Sequence, residues 1–160
     1  MGTHRLLARC LADRAPSLSE DPGRETVRLT GHGCRQYAAD REWLAPLERL
    51  AERMRAAGGD GFRAIRVATW CEKREQSVAS IREMVRKVSR DGGRALLIPA
   101  RTTGTGPAEE LLPDMDFALG EGFVSHPLFE DWLHAQVQTA FARYREEGRG
   151  RLGASLMDSE

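Results

Sequence analysis

Strand patterns and helix patterns alternate along most of this chain, and that alternation limits the folds open to it. The first strand pattern covers Glu25–Thr30, where Val27 and Leu29 alternate with polar residues. Apolar residues then recur at helical spacing up to the glycine pair at 58–59, and a second strand pattern follows at 62–70. Strand, helix and strand in this order are typical of a parallel sheet covered by helices.

The second half of the chain continues the same series. Apolar residues at helical spacing predict a helix that ends at 91–93, and the continuously apolar run 95–98 is typical of a central parallel strand. A helical turn at 108–112, a short strand at 116–119 and a helix at 127–147 complete the order. We therefore predict an α/β fold: a three-layer sandwich with a mostly parallel four-stranded sheet.

Local composition divides the chain into one domain and two short flanks. Its 160 residues suffice for one hydrophobic core. Residues 1–24 are predicted to form an N-terminal helix over 3–14 followed by a linker that contains prolines and a glycine. Residues 25–147 form the predicted α/β domain, and residues 148–160 a mobile tail.

Charge, apolar run length and cysteine content limit the class of protein and its partners. The chain has 24 basic and 24 acidic residues, so its formal net charge of zero predicts no nucleic-acid or membrane partner. No apolar run is long enough to span a membrane and no signal peptide is evident, which predicts a cytoplasmic protein. The 3 cysteines have no regular spacing, so a disulfide framework is not expected.

The turn that follows the first strand carries the clearest functional signal. His32 lies between Gly31 and Gly33, whose missing side chains permit a tight turn at the strand end. Ligands bind at the carboxyl ends of strands in open α/β sheets, and an imidazole there can bind a metal ion or accept a proton. The alternative role for His32 is to stabilise the turn.

Further metal-ligating and acid-base side chains follow the same and the next strand. Cys34 follows the His32 turn, and Cys71 with Glu72 follows the second strand. Imidazole, thiolate and carboxylate groups suit divalent transition metals, so these residues together with His32 are the candidate metal ligands. The alternatives are that both cysteines are packing residues and that Glu72 belongs to a solvated helix start.

Two later segments complete the candidate site. His126 precedes Pro127 at the start of the last helix, where it is either a second catalytic group or a helix cap. The loop after the third strand can bind an anion through backbone N–H groups, although it lacks the lysine of a phosphate-binding loop. Its candidate binding residues are Arg101, Thr102, Thr103 and Gly104.

These features resemble the sirohydrochlorin chelatase family, the small class II chelatases that insert a divalent metal into a tetrapyrrole without ATP. The resemblance covers about residues 25–145. It rests on the turn 31–33, the amphipathic helix that contains Trp43, and the apolar strand 96–99 before a loop that contains glycines. It also rests on the late segment that contains Ser125-His126-Pro127 and Trp132.

The resemblance implies roles for individual residues. His32 matches the family's first active-site histidine, which binds metal or receives pyrrole protons. The second histidine that the family carries after its third strand has no counterpart in the loop 101–107. His126, Cys34 and Glu72 are the candidates to replace it, and Arg101 is a candidate partner for tetrapyrrole carboxylates.

The same resemblance implies substrates and partners. Cobalt, nickel or iron would be the metal substrate, a sirohydrochlorin-type tetrapyrrole its acceptor, and no organic cofactor is expected. A single half-unit implies a homodimer or pairing with another half-unit. Two alternatives to catalysis by such an enzyme remain: a noncatalytic carrier, sensor or partner subunit, and an unrelated small α/β enzyme that uses His32 and Cys34.

Overall fold

A four-stranded parallel sheet forms the centre of the protein, in a computed structural model that describes residues 4–33, 37–71 and 75–157. The strands are β1 (Glu25–His32), β2 (Ala64–Trp70), β3 (Arg94–Pro99) and β4 (Phe117–Leu119). Their order in the sheet is β2-β1-β3-β4, and each neighbouring pair is parallel. The predicted α/β class with a four-stranded sheet is confirmed.

Helices cover both faces of this sheet. They are α1 (Arg5–Leu18), α2 (Tyr37–Ala56), α3 (Glu75–Arg90), α4 (Ala108–Leu111) and α5 (Pro127–Met157). One core lies between the sheet and α1 and α2, with the first turns of α5 packed against it. A second core lies between the sheet and α3 and α4. The structure is therefore a three-layer sandwich.

The apolar strand β3 shows why the sheet needs helices on both sides. Leu96 and Ile98 belong to the core beneath α1 and α2, whereas Ala95 and Leu97 belong to the core beneath α3. Successive side chains of a strand point to opposite faces, so a strand buried on both faces must be apolar throughout. The continuous apolar run in the sequence has this cause.

Helix α1 is part of the main core. Leu7, Cys10 and Leu11 are fully buried, and they contribute to the same cluster as β1 and α2. The sequence placed the start of the compact domain near Glu25. In the structure, the packed unit already begins with α1, because its apolar residues recur at helical spacing and face the sheet.

Two helices extend past their predicted ends. Helix α1 continues to Leu18 rather than ending at Arg14, and it includes Pro16 in its last turn. Ala15 is fully buried in the core, so tertiary packing overrides the linker-like composition around it. Helix α5 continues to Met157, although the sequence predicted a mobile tail from Gly148. Gly148, Gly150 and Gly153 have low helix propensity, so the local sequence favours an end near Glu147.

Side chains cover the open edge of the sheet at β2. The carbonyls of Ile65, Val67 and Thr69 accept hydrogen bonds from Arg55, Arg28 and the Ser77 hydroxyl, respectively. The Arg28 bond to Val67 is 2.6 Å long, and burial together with nearby Arg66 lowers the pKa of that guanidinium. An edge strand whose carbonyls already have donors is a poor template for pairing with another chain.

Helix lengths and composition also bear on membrane insertion. Within the ranges of the chain that the structure describes, none of the helices combines the length and the apolar character needed to cross a bilayer.

Candidate functional site

The candidate site lies where the chain leaves β1 and β3 in opposite directions. β1 is followed in sequence by β2 on one side of it, whereas β3 is followed by β4 on the other side. Such a switch point opens a crevice at the carboxyl ends of the two neighbouring strands. The Ala100 N–H donates a 2.7 Å hydrogen bond to the Thr30 carbonyl and holds the two strand ends together.

A small apolar pocket of about 50 Å³ occupies this crevice. Its walls come from α1, the end of β1, α2, the end of β3 and the segment before α5. They are formed by Leu7, Gly31, His32, Trp43, Pro46, Leu47, Ala100 and Phe123. Among these eight residues, His32 is the one with an ionisable side chain, so it is the candidate for proton transfer in this pocket.

Glycine at position 31 allows α2 to approach β1 at the pocket. A Cβ atom there would lie 2.7 Å from Leu47 Cδ1, well inside van der Waals contact. Trp43 and Pro46, on the same part of α2, reach the pocket because of this close packing. Gly31 therefore shapes the pocket as well as the turn.

His32 stands at the solvent-exposed end of the pocket. It is the last residue of β1, in register with Trp70 of β2, and the next residue donates through its N–H to the Trp70 carbonyl at 2.6 Å. Its side chain is exposed and, among the described residues, makes no hydrogen bond. The backbone is thus fixed while the imidazole stays accessible to a ligand.

The other candidate metal ligands are not gathered around His32. Cys71 is buried, and its N–H donates to the Ser77 hydroxyl at 3.2 Å, so it packs beneath the start of α3. Cys34 and Glu72 lie outside the described residues. Within the described part of the chain, no group of 3 or more histidine, cysteine, aspartate or glutamate side chains is placed to hold a metal ion.

The loop after β3 contacts the segment that precedes α5 through its carbonyls. The carbonyls of Arg101, Thr102 and Gly104 accept hydrogen bonds of 2.9 Å from the N–H groups of Phe123, Val124 and Gly122, respectively. The residues Arg101, Thr102, Thr103 and Gly104 are all exposed. These hydrogen bonds hold Phe123 against the pocket.

Both ring nitrogens of His126 contact residues that do not line the pocket. Nδ1 accepts a 3.2 Å hydrogen bond from the Leu128 N–H, and Nε2 lies 3.7 Å from Asp13 Oδ2. The first contact is that of a helix N-cap, and the second links α5 to α1. Of the two roles considered for His126, the observed contacts are those of the cap.

Sequence reasoning missed two walls of the pocket. Phe123 is almost fully buried and stacks on Phe129, with ring centroids 6.5 Å apart. Leu7 reaches the pocket from α1, a helix that the sequence assigned to a separate region. In the sequence, the signal next to Phe123 was Gly122. The structure shows why glycine is needed there: a Cβ atom would lie 2.7 Å from the Arg101 carbonyl oxygen.

Comparison of the chain with protein-family models, with curated proteins and with solved structures found no match. Function is therefore inferred from the pocket. It offers apolar walls, the half-exposed ring of Trp43 and the accessible imidazole of His32. Such a surface can bind a flat, largely apolar molecule and exchange a proton with it.

Proposed function

We propose that this protein is a chelatase-like enzyme that inserts a divalent metal ion into a sirohydrochlorin-type tetrapyrrole. The observation that carries the proposal is the position of His32. Its accessible imidazole stands at the end of β1, at an apolar pocket in the switch-point crevice. The metal, cobalt, nickel or iron, is a substrate here.

The shape of the pocket suits the edge of a flat macrocycle. A tetrapyrrole is much larger than a volume of about 50 Å³, so it would lie across the mouth of the pocket. Trp43, with half of its surface exposed, offers an aromatic face there. Arg101 is exposed on the neighbouring loop, where a guanidinium can bind a tetrapyrrole carboxylate.

The reaction needs a proton acceptor. When the divalent metal binds four ring nitrogens, two pyrrole N–H protons must leave, so the charge of the metal is balanced by the doubly deprotonated ring. A neutral imidazole beside the ring accepts one proton at a time and returns it to water. His32 is exposed to solvent and adjoins the pocket, so it can perform both transfers.

A second function is favoured by the contacts of His126. Its ring nitrogens face the Leu128 N–H and Asp13, which leaves His32 as the one histidine of the pocket. If metallation needs a second protein group beside His32, a protein with a macrocycle surface and a single imidazole would bind a tetrapyrrole or a metal without catalysing metallation. The alternative is therefore a carrier, sensor or partner subunit of the same fold.

Metallation of sirohydrochlorin by Co²⁺ separates these functions. Purified protein is mixed with both substrates without ATP, and the absorbance of the macrocycle is followed over time. The wild type should exceed the uncatalysed rate, and His32→Ala should lose most of that excess because the proton acceptor is missing. His134→Ala is the matched control, since His134 is exposed on α5 and should retain the wild-type rate.

Binding is measured separately by quenching of tryptophan fluorescence. Sirohydrochlorin should quench the wild type strongly, and Trp43→Phe should lose most of that signal because Trp43 is the exposed tryptophan at the pocket. Binding without faster metallation would support the carrier. No binding and no rate enhancement would overturn both functions.

A further inference from the structure

The distal part of α5 is a helical arm with an unpartnered apolar face. The first turns of α5 pack on the core through Leu128, Phe129 and Trp132. From residue 136 to residue 145, every side chain is exposed. This part of the helix therefore extends past the packed domain.

Apolar residues form a continuous stripe along this arm. Leu133, Val137, Phe141 and Tyr144 are 50%, 46%, 63% and 75% exposed, and their spacing of four, four and three residues places them on one face. We call these four residues the α5 stripe. Scattered exposed apolar residues are ordinary, but a contiguous row of large ones marks an interaction surface.

Covering the stripe would stabilise the arm. An isolated helical arm gains little stability from its own hydrogen bonds, and most helices in proteins depend on packing of an apolar face. Covering the stripe would remove two aromatic and two aliphatic side chains from water. The partner must present a similar apolar row.

We propose that the partner is a second copy of this chain, with the two α5 arms packed antiparallel about Val137. A two-fold axis beside Val137 places Leu133 of each copy opposite Phe141 of the other, since both lie four residues from the centre. Leu133, Val137 and Phe141 thus meet apolar partners, and Tyr144 of each copy lies opposite Glu130 of the other, seven residues from the centre. The proposal is independent of what the pocket binds.

Charge on one flank of the stripe selects this orientation. Glu130 lies seven residues before Val137, which places it about 20° from Val137 and nearly in line with the stripe, and Arg145 lies eight residues after Val137, about 80° to the same side. Within the described side chains, both are exposed and neither forms an ion pair. An antiparallel dimer brings Glu130 of each copy next to Arg145 of the other, at two symmetric positions.

Parallel packing would have the opposite effect on these charges. With the two helices parallel and in register, Glu130, which lies nearly in line with the stripe, would face Glu130 of the other copy across the interface. Like charges held close together weaken association. The same residues therefore favour the antiparallel pair and disfavour the parallel one.

Sedimentation velocity of the full chain at micromolar concentration tests the proposal. The wild type should sediment as a species with twice the monomer mass. Val137→Glu places two carboxylates together at the two-fold axis and should raise the dimer dissociation constant by more than about tenfold. Ala142→Glu adds the same charge to the opposite, exposed face of the arm and should leave the dimer intact.

Charge reversal tests the orientation. Glu130→Arg alone and Arg145→Glu alone should each weaken the dimer, whereas the double variant should recover the wild-type dissociation constant. Circular dichroism of each variant checks that the helix content is unchanged. A monomeric wild type overturns the proposal, as does a dimer that Val137→Glu does not weaken. A double variant weaker than both single variants overturns the antiparallel arrangement.

Discussion

His126 and Asp13 join the last helix to the first. Nε2 of His126 lies 3.7 Å from Oδ2 of Asp13, while Nδ1 of the same ring accepts the Leu128 N–H at 3.2 Å. The His126 side chain is only 17% exposed at this junction of α1 and α5. Its position thus contributes to the packing of two helices next to the pocket.

Replacement of His126 should reduce stability. His126→Ala removes the cap of α5 and should lower the free energy of unfolding by about 0.5–2 kcal/mol. Urea denaturation followed by circular dichroism measures this loss. His126→Asn is the matched control, because asparagine also caps helices and should recover most of the stability. Sirohydrochlorin binding should persist in both variants, and its loss would show that His126 reaches the macrocycle.

Two glycines near the pocket should respond differently to the same substitution. At Gly31, the obstacle to a new Cβ is the flexible Leu47 side chain, which can shift. At Gly122, the obstacles are the carbonyl oxygens of Arg101 and Thr102, at 2.7 and 2.8 Å. Gly122→Ala should therefore lower the free energy of unfolding by about 1–3 kcal/mol, and Gly31→Ala by less. Equal losses in urea denaturation would contradict this explanation.

The order of elements was readable in the sequence because each element carries its own local pattern. β3 is apolar at every position from Ala95 to Ile98, and α3 has a regular apolar face closed by the glycines at 92–93. These signals depend only on near neighbours in the chain. The predicted parallel sheet was therefore confirmed. The predicted ends of α1 and α5 were wrong: core packing of Ala15 extends α1, and α5 continues through the glycines that follow Glu147, which no local pattern indicates.

The pocket was only partly readable, because long-range contacts build it. His32 could be found from the strand that ends beside it and from its flanking glycines. Leu7 and Phe123 come from distant parts of the chain, and no local pattern links them to His32. The contacts of His126 with Asp13 are of the same kind. Sequence spacing identifies the strand ends, and tertiary packing decides which side chains meet there.

The buried carboxylate of Glu25 should be important for the entry into β1. Glu25 is 2% exposed and accepts hydrogen bonds from the Ser19 hydroxyl and, at 3.0 Å, from the Glu20 N–H. Glu25→Ala leaves these donors without a partner and should cost about 1–3 kcal/mol in thermal or urea unfolding. Glu25→Gln keeps an acceptor oxygen and should lose less. An alanine variant as stable as the wild type would show that water replaces the carboxylate.

Cys10 should make stability fall at alkaline pH. The thiol is fully buried in α1, and burial raises its pKa from 9.0 to about 11, against the opposing effect of nearby Arg14. Between these two values the unfolded chain loses the proton and the folded chain keeps it. The contribution of the thiol is therefore complete below pH 9.0 and is lost as the pH rises towards 11.

A comparison of the wild type with Cys10→Ala isolates this effect. Other groups also titrate at alkaline pH, but they are common to both proteins, so the difference between their unfolding free energies reports on the thiol alone. That difference should become smaller between about pH 8 and about pH 10, because the unfolded wild type gains stability by ionising at Cys10. Urea denaturation at both pH values measures it. A difference that does not change with pH would mean that the folded thiol ionises as readily as the unfolded one, and that α1 opens to solvent.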